Sequence, residues 1–565
     1  MGALPPRLAL STTERRNLVD VARGRARADL VLSGSRVVNV YTDEVEPAEV
    51  AIVDGRIAWV GARRGPAPHE ERDFAGAVLV PGLIEPHGHP DILYTPSELI
   101  RAVGPRGTTT ICADPVALQM SLNDEELDRV LGSLAQASVK LLWTPRAGFD
   151  GAAPGEVATL PLARLVDIWD RTPGTTSSGE MTAWTRLLTH DERLTAFIEH
   201  VVSAGGRVDG HAAGASPGTL GALAAAGISS DHEAISAQEA LARLRLGLWT
   251  MVRHSSLRPD GDALARGLVE LGTPLHRVLL TTDGPVATDV TAGYLDAVVR
   301  TVIGAGIPAT TAVRMATLHP ATYLGLDGHL GGIAPGRCAD LLVVDALETF
   351  APLQAFCDGV AVAEDNVDVG FDAWRELPAT RYRPAPLDAD GLAALRATSP
   401  RIRFEGVITR DDGSALSGGE GLAALVSRDG DWIVTAAVSG PCPDAFASTF
   451  SGSRHVVLLG KDLPALASCY HRAIELGGGL VTPGAEVSLP ILGRMSSMRV
   501  PELGRGLAEV ERTLGEPGTR PPVAYVSLFM DLAVLPDVRL TPDGVLAVKS
   551  GALLADPVQL RASKP

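Results

Sequence analysis

Between about residues 81 and 320 the chain alternates strand-like and helix-like stretches without a long interruption, and this rhythm limits the fold more than any other feature. Residues 78–84 read as a buried strand broken once by Pro81-Gly82. Thr95-Pro96-Ser97-Glu98 predicts a helix start with a capping box and proline at its first position. A strand follows at 107–113 (G-T-T-T-I-C-A), then a helix from Ser121, then a strand at 139–144 (V-K-L-L-W-T). The alternation runs on to a helix at 293–304. Roughly 240 residues of this kind predict an α/β architecture, a (β/α)8 TIM-like barrel. In that fold the side chains that do chemistry stand at the C-terminal ends of the strands.

The flanks have a different texture. Short β runs at 29–38 and 49–60, the second with an Asp54-Gly55 hairpin turn, are matched by a similar pattern at 327–363. A β-sandwich domain built from both flanks, 1–80 plus 321–365, is therefore expected around a barrel at 81–320. Pro378, Pro384, Pro386 and Pro400 mark 366–400 as a connector with a short helix. An α+β C-terminal domain is expected at 401–550, with strands at 421–427, 432–438 and 456–460 and a helix near 462–476. A chain of 565 residues exceeds what one core can serve. The net charge of −17 argues against nucleic acid as a partner. Five scattered cysteines without a C-x-x-C fit a reducing compartment. No stretch has signal-peptide character or reaches membrane-spanning length, so a cytoplasmic location and no membrane partner are expected.

The chemistry begins at the end of the first barrel strand. His87 and His89 are alternate residues, so both imidazoles face one way, about 7 Å apart at their Cα atoms. Two neutral imidazoles on a rigid strand end are half of a metal site. Further candidates close later β-like runs in order: Glu180 in T-T-S-S-G-E-M, His211 in G-R-V-D-G-H, His232 in S-S-D-H-E and Asp283 in L-L-T-T-D-G. Singly, each acid reads equally well as a strand-end helix cap, and each histidine as a surface residue. The ordered set is far more specific. Imidazoles and carboxylates in this ratio suit Zn²⁺, Mn²⁺ or Fe²⁺. Such a site lowers the pKa of bound water toward neutrality. Asp283 is then placed to accept the water proton and hand it to a leaving amine.

These residues carry a resemblance. P-G-L-I-E-P-H-G-H at 81–89 and I-A-P-G-R-C-A-D-L-L-V-V-D at 333–345 resemble the amidohydrolase superfamily. G-T-T-T-I-C-A-D-P at 107–115, G-E-M at 179–181, D-G-H-A-A-G at 209–214, A-A-G-I-S-S-D-H-E at 225–233, I-E-L-G-G-G-L-V at 474–481 and L-P-I-L-G-R-M-S at 489–496 are similar to its bacterial adenine deaminases. The resemblance covers about 25–545. It implies two divalent ions, Mn²⁺ or Fe²⁺ ahead of Zn²⁺, with His87 and His89 on one, His211 and His232 on the other, Glu180 bridging and Asp283 as metal-adjacent proton shuttle. It also implies hydrolytic deamination of adenine to hypoxanthine and ammonia. A small purine-like substrate is the expected partner, and a homo-oligomer is left open.

The chain departs from that pattern near the expected base pocket. Val116-Ala117-Leu118 follow the A-D-P triplet in place of an acidic, histidine-containing stretch. Pro90-Asp91 follow the H-x-H, where the family has Ile-Glu. Gly284-Pro285 replace an acid and an arginine after Asp283, and Ser451-Gly452-Ser453-Arg454 replace a His-Asp-Ser-His stretch. A roomier, less polar pocket beyond Asp283 is expected, and with it an alternative substrate, another aminopurine or a cyclic amide. A binding protein that kept only the scaffold has no need of all six candidate ligands.

Overall fold

The computed structural model describes all residues except 1–4, 148–159, 173, 370–372, 378–379, 413–420, 516–521, 533–536 and 562–565. Pro378, used above to mark the connector, and the first four residues lie outside the described set.

The strands Leu83–Gly88, Thr108–Ala113 and Lys140–Trp143 form one parallel arc, and Ser230–Asp231, Trp249–Arg253 and Val278–Thr281 a second. The fourth and fifth staves are reduced to isolated parallel bridges, Ser177 with Arg207 and Met181 with Gly210. Backbone hydrogen bonds carry the ring across this gap: Gly179 N–H donates to Pro145 O (3.0 Å), Ser178 N–H to Arg207 O (2.8 Å) and Ser229 N–H to Val208 O (2.9 Å). The parallel bridge between Gly88 and Asp283 closes the barrel. Glycine is required in the thin part. A Cβ on Gly210 would stand 2.4 Å from Ser230 O, and one on Gly179 would stand 2.6 Å from Asp114 Oδ2.

Two sheets lie below the barrel. One runs Arg56–Gly61, Glu49–Val53, Leu30–Ser33, Glu70–Asp73. The other pairs Val78–Pro81, from before the barrel, antiparallel with Leu341–Val344, from after it. Leu32, Val50, Ile57, Leu79, Val343 and Phe356 fill the space between them. The predicted Asp54-Gly55 turn is present, both residues with positive φ (52° and 70°). An N-terminal helix, Thr12–Ala22, adds to the mostly strand reading of this flank. Ser11 and Glu14 form its capping box. The helix expected from Ser121 instead starts at Asp124, because Asn123 and Glu126 cap each other's backbone; Val116–Ser121 is a separate short helix. At 95–98 only the Thr95 half of the capping box forms.

The barrel is fastened to the sandwich by buried charge. Lys140 Nζ donates to Asp340 Oδ1 (2.8 Å) and reaches Asp358 Oδ1 (2.9 Å), and Arg7 also pairs with Asp358 (2.7 Å). Cys338 lies beside these acids, but the ammonium fills the position a cation would take. Lys140→Met keeps the volume of the side chain and leaves Asp340 without its cation. It is expected to destabilise the fold by about 3 kcal/mol or more, the scale for breaking a buried pair. Denaturant unfolding of the two proteins measures it, and a difference near zero would contradict the assignment.

The C-terminal region is a mixed sheet centred on Gly421–Val426, Trp432–Val438 and Val456–Gly460, backed by the helix Leu463–Glu475 with Asp462 as its N-cap. Val558–Gln559 returns to pair with Trp432–Val438, past the 550 limit read from sequence. This region joins the barrel directly. Met495–Ser496 pairs parallel with Leu93–Tyr94, and the helix Val500–Leu514 lies on Ala287–Ala292, with Gly504 allowing the close approach. One apolar core runs through both.

Candidate active site

Each of the six candidate side chains stands at the mouth of the barrel, and the structure brings all six together. His87 Nε2 and His89 Nε2 lie 3.3 and 3.4 Å from Asp283 Oδ1. Glu180 sits between the two halves: its Oε1 is 3.6 Å from His89 Nε2, and its Oε2 is 2.6 Å from His211 Nδ1 and 3.3 Å from His232 Nε2. The His87 and His232 rings stack at 4.2 Å. These residues form overlapping groups able to hold a cation, His87–His89–Asp283 and His87–Glu180–His232 among them.

The donor chemistry fits a divalent ion. Among the described residues, His87 Nε2 and both ring nitrogens of His232 are buried without a formed hydrogen bond, an arrangement that costs free energy unless something coordinates them. His87 is also oriented from behind, since its Nδ1 lies 2.7 Å from Asp209 Oδ2, as metal-binding imidazoles usually are.

Electrostatics set the protonation states. Burial alone would push Glu180 up, but the Arg146 guanidinium at 2.5 Å and the nearby His211 hold it well below the usual carboxylate range. Burial opposes ionisation of Asp283 as well. The close His87 and His89 imidazoles and the charge of Arg253, whose Nη1 donates to Oδ2 at 3.0 Å, overcome it and keep the carboxylate far down. Glu233, desolvated but gripped by Arg253, falls to about 2. Asp283 also has a left-handed backbone (φ 66°), uncommon outside glycine.

Sequence reading overlooked a ring of supporting residues. Arg146 joins Asp114 to Glu180, and Arg253 joins Glu233 to Asp283. Asp209 was legible in principle: as alternate residues Asp209 and His211 share a face. Arg146 had no local signal.

A cavity of about 510 Å³ opens above these groups. Its floor is polar; its walls include Ile92, Val116 and Leu257 from the barrel and Val407, Leu528 and Phe529 from the C-terminal region. The expected extra room beyond Asp283 is a correction. A Cβ on Gly284 would meet His89 and Ile92 at 3.2 and 3.3 Å. Tyr94 OH donates to Pro285 O (2.7 Å) and Tyr525 OH to Gly284 O. Two tyrosines thus pack against the Gly284-Pro285 backbone, and the free volume lies higher in the cavity.

Residues 78–363 match the model of the amidohydrolase family, and residues 409–552 match the adenine deaminase C-terminal domain. A putative adenine deaminase of Bacillus anthracis is 31% identical, with 97% of this chain and 98% of that one aligned. Adenine deaminase 3 of Rhizobium meliloti is 34% identical over 94% of this chain and 96% of its own length. An adenine deaminase of Deinococcus deserti is 32% identical over 96% and 98%. Divalent metals serve this superfamily, and no described helix is long and apolar enough to cross a membrane. The chain belongs to the adenine deaminase family of the amidohydrolases and is a hydrolase of carbon–nitrogen bonds other than peptide bonds.

Proposed function

We propose that this protein converts adenine to hypoxanthine and ammonia, using two divalent ions held by His87, His89, Glu180, His211, His232 and Asp283. The observation that carries the reading is the convergence of these six side chains at one barrel mouth, in a chain that aligns end to end with adenine deaminases. When bound, Mn²⁺, Fe²⁺ or Zn²⁺ lowers the pKa of a coordinated water toward neutrality. The remaining work belongs to the chain. Asp283, kept ionised by its imidazole and arginine neighbours, accepts the proton of the attacking water and delivers it to the departing nitrogen. Glu180 faces both histidine pairs and is suited to bridging. Asp209 orients His87, and Arg146 fixes Glu180. The five cysteines are free, which supports a cytoplasmic location.

A second reading rests on the cavity. About 510 Å³ with an apolar roof is in the range that buries drug-sized ligands, more space than one bicyclic base requires. This supports a larger aminopurine or a cyclic amide. Metal-loaded protein, given adenine, N6- and 2-substituted purines and cyclic amides, is expected to release ammonia from adenine. Activity on cyclic amides with none on any purine would replace the first reading with the second.

Two further outcomes are expected. Elemental analysis of protein purified with metal supplied should find about two divalent ions per chain, and a chelator should abolish turnover; metal-free protein with full activity would remove the centre altogether. Glu180→Gln should lose metal together with rate, because a neutral amide is a poor partner for two cations. Full metal content and near-normal turnover in that variant would make Glu180 a strand-end cap.

A further inference from the structure

A second cavity, of about 270 Å³, lies at the seam between the connector, the C-terminal region and the barrel. Ser121, Thr380, Arg381, Arg428, Arg454 and Leu492 line it, together with the exposed Asp429. The chain carries 67 acidic and 50 basic residues, and its arginines elsewhere find carboxylates readily, as Arg146, Arg243 and Arg253 do. The guanidiniums of Arg381 and Arg428 make no ion pair or hydrogen bond among the described residues, Asp429 included. Arg454 turns toward the same space from a left-handed backbone position (φ 65°), with Nη1 3.4 Å from Ser121 Oγ. It is the residue that stands where the family pattern has a histidine.

We propose that this seam is a binding site for a phosphate-type oxyanion, either free or as the phosphoryl group of a nucleotide. The argument is one of chemistry and placement. The Arg381 and Arg428 guanidiniums offer only donors, the Ser121 and Thr380 hydroxyls can donate, and planar guanidiniums match the paired oxygens of a phosphate. Arg381 and Arg428 bring two guanidiniums with no carboxylate partner among the described residues to one small cavity, and an anion held between them would neutralise both. The site is separate from the catalytic groups but shares a wall with their cavity. Ser451, three residues before Arg454, accepts a hydrogen bond at its carbonyl from Arg494, which lines the catalytic cavity, while Leu492 lines the seam. Asp531 holds the intervening loop through the N–H groups of Gly452 (2.9 Å) and Ser453 (2.7 Å).

The test is calorimetric titration of the metal-loaded protein with inorganic phosphate and, separately, with adenosine monophosphate. The wild-type protein is expected to bind at least one probe saturably, more weakly as salt rises. Arg381→Gln/Arg428→Gln should bind it roughly tenfold or more weakly, since charge-assisted hydrogen bonds are lost, with unchanged melting temperature and basal turnover. Arg381→Gln alone changes an exposed side chain, so its expected partial loss reads the site independently of any folding defect in the double variant. Comparable affinity for the two probes assigns free phosphate, and tighter binding of the monophosphate assigns a nucleotide. Absence of saturable binding by either probe overturns the proposal. So does equal binding by the double variant, which would put the ion at the metal centre or elsewhere.

Discussion

Asp283→Asn is expected to lower kcat roughly 10²-fold or more, the scale of general acid–base catalysis, with a smaller change in KM. Asparagine keeps the shape of the side chain and can still offer a hydrogen bond, but it cannot take a proton from water. The native carboxylate is ready for that task. Burial disfavours its charge, yet the close His87 and His89 imidazoles and the Arg253 guanidinium hold its pKa well below the usual value. A group ionised in this way stays a base through the neutral range and becomes an acid only after it receives the proton of the attacking water. The variant is also a clean probe of chemistry, because asparagine is among the few residues that tolerate the left-handed backbone at this position. Circular dichroism, metal content and kcat should be measured on the same preparation. Native-like folding and near-wild-type kcat would show that the proton moves by another route. Loss of metal in step with rate would make Asp283 chiefly a ligand.

The barrel mouth was legible because its logic is local. Strand ends display themselves as apolar runs closed by a polar residue, and His87, His89, Glu180, His211, His232 and Asp283 each close one. Even so, regularity and function diverged. The runs that end in Glu180 and His211 form only isolated bridges, and Gly179 and Gly210 stand where a Cβ would meet a carboxylate and a neighbouring backbone. The residues that tune the site were hidden for a different reason. Arg146 lies 34 positions from Glu180, and Arg253 lies 30 from Asp283; only tertiary packing makes them neighbours. The pocket beyond Asp283 was misread because the small residues Gly284 and Pro285 imply space only if nothing else fills it. Tyr525, more than two hundred residues away, does so.

That tyrosine points to the second large effect. Removal of the chain beyond about residue 400 is expected to lower turnover by roughly 10²-fold or more and to cost solubility at the same time. The loss of rate follows from geometry. Tyr525 OH holds the carbonyl of Gly284, next to Asp283, and misplacement of a reacting group by about 1 Å costs on the order of 10²-fold. Val407, Leu528 and Phe529 form apolar wall of the catalytic cavity, so their removal opens it to water. The loss of solubility follows from packing. Met495–Ser496 completes a strand pair with Leu93–Tyr94, and Leu503 and Leu507 belong to the same buried core as Val286, Ala287 and Val290. Stripping them away exposes a contiguous apolar face on the barrel. Tyr525→Phe separates the two effects, because it keeps the ring and its packing while removing the hydroxyl. This variant should remain soluble, keep its metal and lose kcat with little change in KM. A truncated protein that stays soluble and fully active would mean that the C-terminal region is an independent module resting on the barrel. Full activity in Tyr525→Phe, with an inactive truncation, would confine its contribution to the apolar wall.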